Sequence, residues 1–157
     1  MHALAVVPVQ RLDNAKSRLA AVLDPLSRRS LVLQLAERTV RILCTVPGID
    51  EVALVTPDPH VAASARTWGA FPLEQTDQGL DRAIVVAQRY AVARSFSAVL
   101  VVLGDLPLLE APPVRTALAL LEPYSVVLAP DRHGTGTNLL AFSPPDLPIP
   151  SFGHDSR

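Results

Sequence analysis

The chain has 157 residues, of which 49% are hydrophobic and 4% aromatic, and its formal net charge is −1 at pH 7. This length accommodates one domain with a sizeable core, and the near-zero charge excludes the basic surface typical of nucleic-acid-binding proteins. The N-terminal residues contain no cationic leader, and no apolar run is long enough to cross a bilayer. The sequence therefore predicts a cytoplasmic protein without nucleic-acid or membrane partners.

Short apolar segments that predict strands alternate with longer segments whose apolar residues recur at helical spacing. Strands are expected at residues 3–9, 51–56, 71–73, 98–103, 125–129 and 138–142. Helices are expected at residues 27–45, 59–68, 77–94 and 112–121, the first with Ser27 as its N-cap. This alternation predicts an α/β fold with a mostly parallel sheet and helices on both faces.

The single cysteine, Cys44, lies in an apolar helical pattern, so we expect it to be a small buried core residue. One cysteine excludes a disulfide framework, and no pair of histidines has the spacing of zinc ligands. The chemistry must therefore come from other residue types.

Polar loops follow three of the predicted strands, at the sheet edge where open α/β sheets bind their ligands. We call them the first loop (residues 10–19, QRLDNAKSRL), the aspartate loop (residues 104–107, GDLP) and the glycine loop (residues 130–137, PDRHGTGT). None of them is a P-loop or a dinucleotide fingerprint, because the required glycine, lysine and serine spacing is missing. These loops are the candidate ligand-binding segments.

Asp105 comes directly after the strand that the sequence indicates most strongly, AVLVVL. A carboxylate on rigid backbone at the ligand edge suits Mg²⁺, which takes one or two carboxylates together with substrate phosphates. An aspartate that caps the following Leu106-Pro107 turn is the alternative from the residues alone.

Two further features can bind anions. Lys16 and Arg18 in the first loop are spaced so that both can face one phosphate, although a solvated basic loop has the same composition. In the glycine loop, Gly134 and Gly136 permit close backbone approach to a ligand, and its amides can form an anion-binding nest. A plain glycine-rich connection is the alternative there.

Six segments, in this order along the chain, resemble the CofC-type guanylyltransferases of coenzyme F420 biosynthesis. They are VPVQRLDNAKSRLA, VTPD, GLDRAI, GDLPLL, APDRHGTGTNLL and SFGHDS. The resemblance covers essentially the whole chain, and the combination of AKSRL with PDRHGTGTN is highly specific.

The resemblance implies a single nucleotidyltransferase domain over residues 1–157, with a nucleotide-diphospho-sugar transferase-like, Rossmann-like three-layer sandwich. It implies transfer of GMP from GTP to phosphoenolpyruvate, 2-phospho-L-lactate or 3-phosphoglycerate, with release of pyrophosphate. Two Mg²⁺ ions would neutralise the phosphate charge, and the family allows a homodimer.

The resemblance also assigns roles to individual residues. Asp105 matches the metal-binding aspartate, and Lys16 and Arg18 match the basic pair near the nucleotide phosphates. The positions that match acceptor-binding residues are Gln10, Gly136, Thr137 and Ser156. The positions that match nucleotide-binding segments are Pro8, Val9, Lys16, Asp58, Gly79 and Asp81.

The chain departs from the family pattern at three points. Gln10 replaces a lysine that contacts the acceptor phosphate, and Asp81 replaces an asparagine. The family continues through a further C-terminal segment with two more aspartates, which we expect this chain to lack. These departures motivate a second hypothesis, a weak or inactive nucleotide-binding homologue. A third, another nucleotidyltransferase of the molybdopterin guanylyltransferase type, is disfavoured because the glycine-rich first loop of that class is replaced here by VPVQRLDNAKSRL.

Overall fold

The computed structural model describes residues 1–14 and 17–149, which form one six-stranded sheet flanked by α-helices. The strands are β1 (Ala3–Pro8), β2 (Ile49–Thr56), β3 (Phe71–Glu74), β4 (Ala98–Val102), β5 (Val126–Pro130) and β6 (Thr137–Phe142). The α-helices are α1 (Pro25–Leu43), α2 (Pro59–Trp68), α3 (Leu80–Ala93) and α4 (Ala111–Leu120). Every predicted strand and helix is present, with bounds shifted by up to three residues.

The strand order in the sheet is β3-β2-β1-β4-β6-β5. The first four of these strands pair in parallel, while β6 is antiparallel to both β4 and β5. The predicted mostly parallel sheet is confirmed. The sequence analysis did not predict the reversed strand, although β6 forms a hairpin with β5, from which it is separated by residues 131–136.

The sheet buries both faces, each against its own set of helices. Helices α1, α2 and α4 pack on one face, and α3 packs on the other. Successive residues of β1 alternate between the two faces, and all residues from Ala3 to Val7 are fully buried. The prediction of helices on both faces is confirmed.

Two helices begin two or more residues away from the positions expected. The first, α1, starts at Pro25, because the Asp24 carboxylate accepts a hydrogen bond from the Ser27 amide at 3.0 Å and proline suits the first helical position. Ser27 is therefore not the N-cap. The third, α3, starts at Leu80 rather than Asp77, because its N-cap Gly79 has a φ of 113° that a helix cannot continue through.

Cys44 is exposed, so the expectation that it belongs to the core is wrong. It is the C-cap residue of α1, one position beyond the last helical residue, and its Sγ lies 3.6 Å from the carbonyl oxygen of Gly69. The thiol lines a surface cavity of about 440 Å³ together with Arg66 and Phe71. Among the residues described, no helix combines the length and apolarity needed to span a membrane.

Leu100 tests how strongly the central strands hold this fold. Its side chain is fully buried in β4, so we expect Leu100→Ala to lower the free energy of unfolding by about 2–5 kcal/mol. Leu108→Ala is the matched control, because Leu108 is 90% exposed and its truncation should change stability by less than about 0.5 kcal/mol. Urea unfolding followed by circular dichroism measures both; equal losses would contradict the assignment of β4 to the core.

Candidate active site

The three polar loops meet at one edge of the sheet. The amide of Val9, just after β1, donates to the carbonyl oxygen of Val55 in β2 at 2.9 Å. On the other side, the amide of Leu103 after β4 donates to the carbonyl oxygen of Asn138 in β6 at 3.1 Å. Because β6 runs in the reverse direction, the glycine loop that precedes it lies at the same edge as the first loop and the aspartate loop.

Asp105 lies beside the start of the first loop. A Cβ atom at the preceding residue, Gly104, would come within 3.2 Å of side-chain carbons of both Val7 and Val9. The backbone after β4 therefore packs directly against the end of β1. Asp105 itself is exposed at this edge, as the sequence predicts for a ligand-binding carboxylate.

The first loop leaves β1 through Pro8 and the buried Val9, and Gln10 is exposed immediately after them. Two short 3₁₀ turns follow, Leu12–Asn14 and Ser17–Leu19, and the second carries the exposed Arg18. Lys16 lies outside the described residues. The structure thus places Gln10 and Arg18 on the loop that borders Asp105.

Asp58 follows β2 and is the N-cap of α2. Its carboxylate is buried and accepts hydrogen bonds from the amides of His60 at 2.9 Å, Val61 at 3.4 Å and Leu12 at 3.0 Å. Burial by itself would raise the pKa of Asp58, but these amide hydrogen bonds outweigh it and hold the pKa below its ordinary value. Asp58 is therefore an ionised carboxylate whose oxygens face the backbone of two segments.

Gln75 organises the segment between β3 and α3. The residue is buried, and its backbone amide donates to the carbonyl oxygen of Thr56 at 3.1 Å. Its side-chain Nε2 donates to the carbonyl oxygen of Gly79 at 2.8 Å. This holds Gly79, and with it the first turn of α3 that carries Asp81, near the end of β2. An isolated glutamine in a polar segment gives no sequence signal of burial, so the sequence analysis did not identify Gln75.

Asp131 organises the glycine loop, and sequence reasoning missed this too. Its Oδ1 accepts hydrogen bonds from the amides of His133 at 2.9 Å and Thr135 at 3.0 Å. These bonds, the Thr135 bond most of all, lower the pKa of Asp131 below its ordinary value. An aspartate followed by glycines at short spacing is the signal that could have indicated such a turn.

The hydrogen bonds to Asp131 change the expected role of this loop. The amide of Gly134 also bonds within the loop, to the carbonyl oxygen of Asp131 at 3.1 Å. The carboxylate of Asp131 thus takes up amides that an anion-binding nest would use. The position of the Asp131 carboxylate also requires a glycine at residue 136, since a Cβ atom there would lie only 3.0 Å from Asp131 Oδ2.

Thr137 is the first residue of β6 and is half-buried. A narrow recess of about 10 Å³ is lined by Thr137 and by Leu80 of α3, so the two candidate binding segments face each other across it. The segment around Gly79 and Asp81 therefore joins the same edge. Ser156, the remaining acceptor-binding candidate, lies outside the described residues.

The described residues contain no group of three histidine, cysteine, aspartate or glutamate side chains able to hold a metal ion. A metal at this edge would have Asp105 as a protein ligand and take further ligands from phosphate oxygens. That donor set is compatible with Mg²⁺, which needs only one or two carboxylates when it binds with substrate phosphates.

Solved structures share this fold at low sequence identity. A protein from Desulfovibrio desulfuricans G20, described as a nucleotide-diphospho-sugar transferase, superposes with a TM-score of 0.74 at 17% identity. The superposed region is 91% of this chain and 64% of that protein's chain. A cytidylyltransferase from Leptospira borgpetersenii superposes with a TM-score of 0.65 at 11% identity, covering 91% of this chain and 60% of its own. These likenesses confirm the predicted nucleotide-diphospho-sugar transferase-like architecture.

Curated relatives match at much higher identity. The phosphoenolpyruvate guanylyltransferase of Sphaerobacter thermophilus is 44% identical over 99% of this chain and 75% of its own length. That of Rubrobacter xylanophilus is 41% identical over 99% of this chain and 76% of its own. The chain thus spans about three quarters of the length of these relatives. A family model described as guanylyl transferase, CofC-like, matches residues 3–154, and the chain therefore belongs to this family.

Proposed function

We propose that this chain transfers the guanylyl group of GTP to a phosphorylated three-carbon acid, with release of pyrophosphate, in coenzyme F420 biosynthesis. The observation that carries the proposal is the family match over residues 3–154, whose motifs fall on loops that meet at one sheet edge. The curated relatives are named for phosphoenolpyruvate, which favours it over 2-phospho-L-lactate and 3-phosphoglycerate as the acceptor.

In this reaction, an oxygen of the acceptor's phosphate attacks the α-phosphorus of GTP. The bond between the α-phosphorus and the oxygen bridging to the β-phosphate breaks, and pyrophosphate leaves with that oxygen. Two anions must approach each other, so the protein's main task is to hold them in line and to offset their charge. We assign this task to Lys16 and Arg18 of the first loop, together with Asp105 through a metal ion.

The remaining residues bind the two substrates. Pro8, Val9 and the α3 segment with Gly79 and Asp81 border the edge on the side of β2, which suits the nucleotide. Gln10 lies next to them, and the remaining acceptor-binding residues in this assignment are Gly136, Thr137 and Ser156. Asp81 is a carboxylate where the family has an amide, so it accepts hydrogen bonds from the nucleotide but donates none at neutral pH.

Mg²⁺ is the cation that we propose for this site, with two ions in the complete site. When bound, it would neutralise phosphate charge and polarise the bond that breaks. Asp105 is the residue described here that would hold it. The assignment of residues 1–157 to one nucleotidyltransferase domain, the homodimer and the cytoplasmic location are further proposals that rest on the same family resemblance.

An acceptor panel tests the proposal. The purified chain is incubated with GTP and Mg²⁺ and with each of the three acceptors in turn, and pyrophosphate release is followed. We expect release with phosphoenolpyruvate to exceed that with the other two. No release with any acceptor from a folded chain would refute the enzymatic proposal, and GTP binding without turnover would support the inactive homologue instead.

Asp105→Asn tests the metal assignment. The substitution removes the charge that would hold Mg²⁺, so kcat/KM should fall on the order of 100-fold while the melting temperature stays near that of the unmodified chain. Glu110→Gln is the matched control, because Glu110 is an exposed carboxylate at the start of α4 that makes no capping hydrogen bond. Equal activities of the two variants would show that Asp105 has no part in the reaction.

Gln10→Lys tests the acceptor-binding assignment. A lysine at this position would make a charge-assisted hydrogen bond to the acceptor's phosphate, so the KM for phosphoenolpyruvate should fall about tenfold with the KM for GTP unchanged. Gln34→Lys on α1 makes the same change at another exposed glutamine and should leave both constants unaltered. A fall in the KM for GTP instead would place Gln10 at the nucleotide.

A further inference from the structure

Asp58 makes more hydrogen bonds than a helix cap requires. One carboxylate oxygen, Oδ1, accepts hydrogen bonds from the backbone amides of His60 and Val61 in the first turn of α2, as an N-cap side chain usually does. The other oxygen, Oδ2, accepts from the amide of Leu12 at 3.0 Å, in a different segment of the chain. Asp58 is only 7% exposed, so water competes little for either oxygen.

The residue type fits this double contact and not the cap alone. Serine, threonine and asparagine cap helices as well as aspartate does, and each offers a single oxygen for the purpose. A carboxylate offers two oxygens and no donor. Position 58 thus holds the side chain that can accept from the helix and from the first loop at once.

The backbone at Leu12 is fixed from three directions. Val9 continues the pairing of β1 with β2, and the Leu12 side chain is buried in the core cluster on the face of the sheet that α1, α2 and α4 cover. The next residue, Asp13, forms an ion pair with Arg29 of α1. The hydrogen bond to Asp58 adds a contact three residues beyond Val9, from the backbone of Leu12 to the segment that follows β2, on the nucleotide side of the proposed site.

We propose that Asp58 is a positioning residue, which anchors the first loop through the amide of Leu12 and thereby sets where the loop presents Arg18 to the nucleotide phosphates. This inference rests on the proposed function, since it assumes that the first loop binds GTP. A carboxylate repels phosphate, and both oxygens of Asp58 already accept from backbone amides, so its contribution passes through the loop and involves no phosphate contact of its own.

Asp58→Asn separates the two roles of this side chain. The asparagine oxygen still caps α2, but its NH₂ group then faces the amide of Leu12, where two donors meet. We expect the KM for GTP to rise about tenfold, with kcat and the KM for the acceptor changed by less than about threefold. A purely structural role would lower the melting temperature without this selective effect on GTP.

A second readout does not depend on activity. Limited trypsin digestion of the folded chain, analysed by mass spectrometry, compares cleavage within the first loop at Arg11, Lys16 and Arg18 with cleavage elsewhere. Asp58→Asn should increase first-loop cleavage severalfold. If no variant turns over GTP but this increase is seen, the proposed function fails while the anchoring contact stands; unchanged cleavage together with an unchanged KM for GTP overturns the inference.

Asp24→Asn is the matched control. Asp24 is also an aspartate N-cap followed by proline, but both of its carboxylate oxygens accept from Ser27 within the first turn of α1. This variant should leave first-loop cleavage and the KM for GTP unaltered. If Asp58→Asn does not fold, Asp58→Ser retains a capping oxygen and loses the contact to Leu12, so it should show the same two effects; if neither folds, Asp58 is a structural residue and the inference is wrong.

Discussion

The antiparallel strand β6, inserted between β4 and β5, is the constraint on which the candidate site depends. Parallel strands bring their carboxyl ends to one edge, so the first loop and Asp105 would meet in any sheet of this kind. The glycine loop connects β5, which runs in the same direction as β4, to the antiparallel strand β6, so it reaches the same edge. The pairing of Val102 with Leu139 and the hydrogen bond from Leu103 to Asn138 fix that loop beside the aspartate loop.

Local patterns predicted the elements of this fold well and their ends less well. The apolar runs of β1 and β4 are buried on both faces, so nearly every residue carries the same signal. The start of α1 depends instead on one side chain, Asp24, whose competitor Ser27 is an equally good cap by type. The same limit explains Cys44, which ends an apolar pattern but lies one residue past the last residue of α1 and is exposed.

Residue types located the candidate site, but they did not show how its loops are held. Asp105, the basic pair of the first loop and the glycines of the glycine loop were identified from their places after predicted strands, and the resemblance supplied the remaining site residues. The buried roles of Gln75 and Asp131 come from contacts with backbone atoms, and no composition or spacing encodes those contacts. Asp131 also changes what the glycine loop can bind, because the amides that a nest would offer to an anion already donate to the Asp131 carboxylate.

Three aspartates therefore stand at the same sheet edge with different tasks. Asp58 and Asp131 are held by backbone amides that lower the pKa of each carboxyl, so both stay ionised and their charge is partly offset by those amides. These hydrogen bonds hold the first loop and the glycine loop on either side of Asp105. Asp105, exposed between those loops, is the carboxylate to which the proposed function assigns the metal ion. In the proposed function, two of these carboxylates hold the loops that border the site, and the third binds the metal.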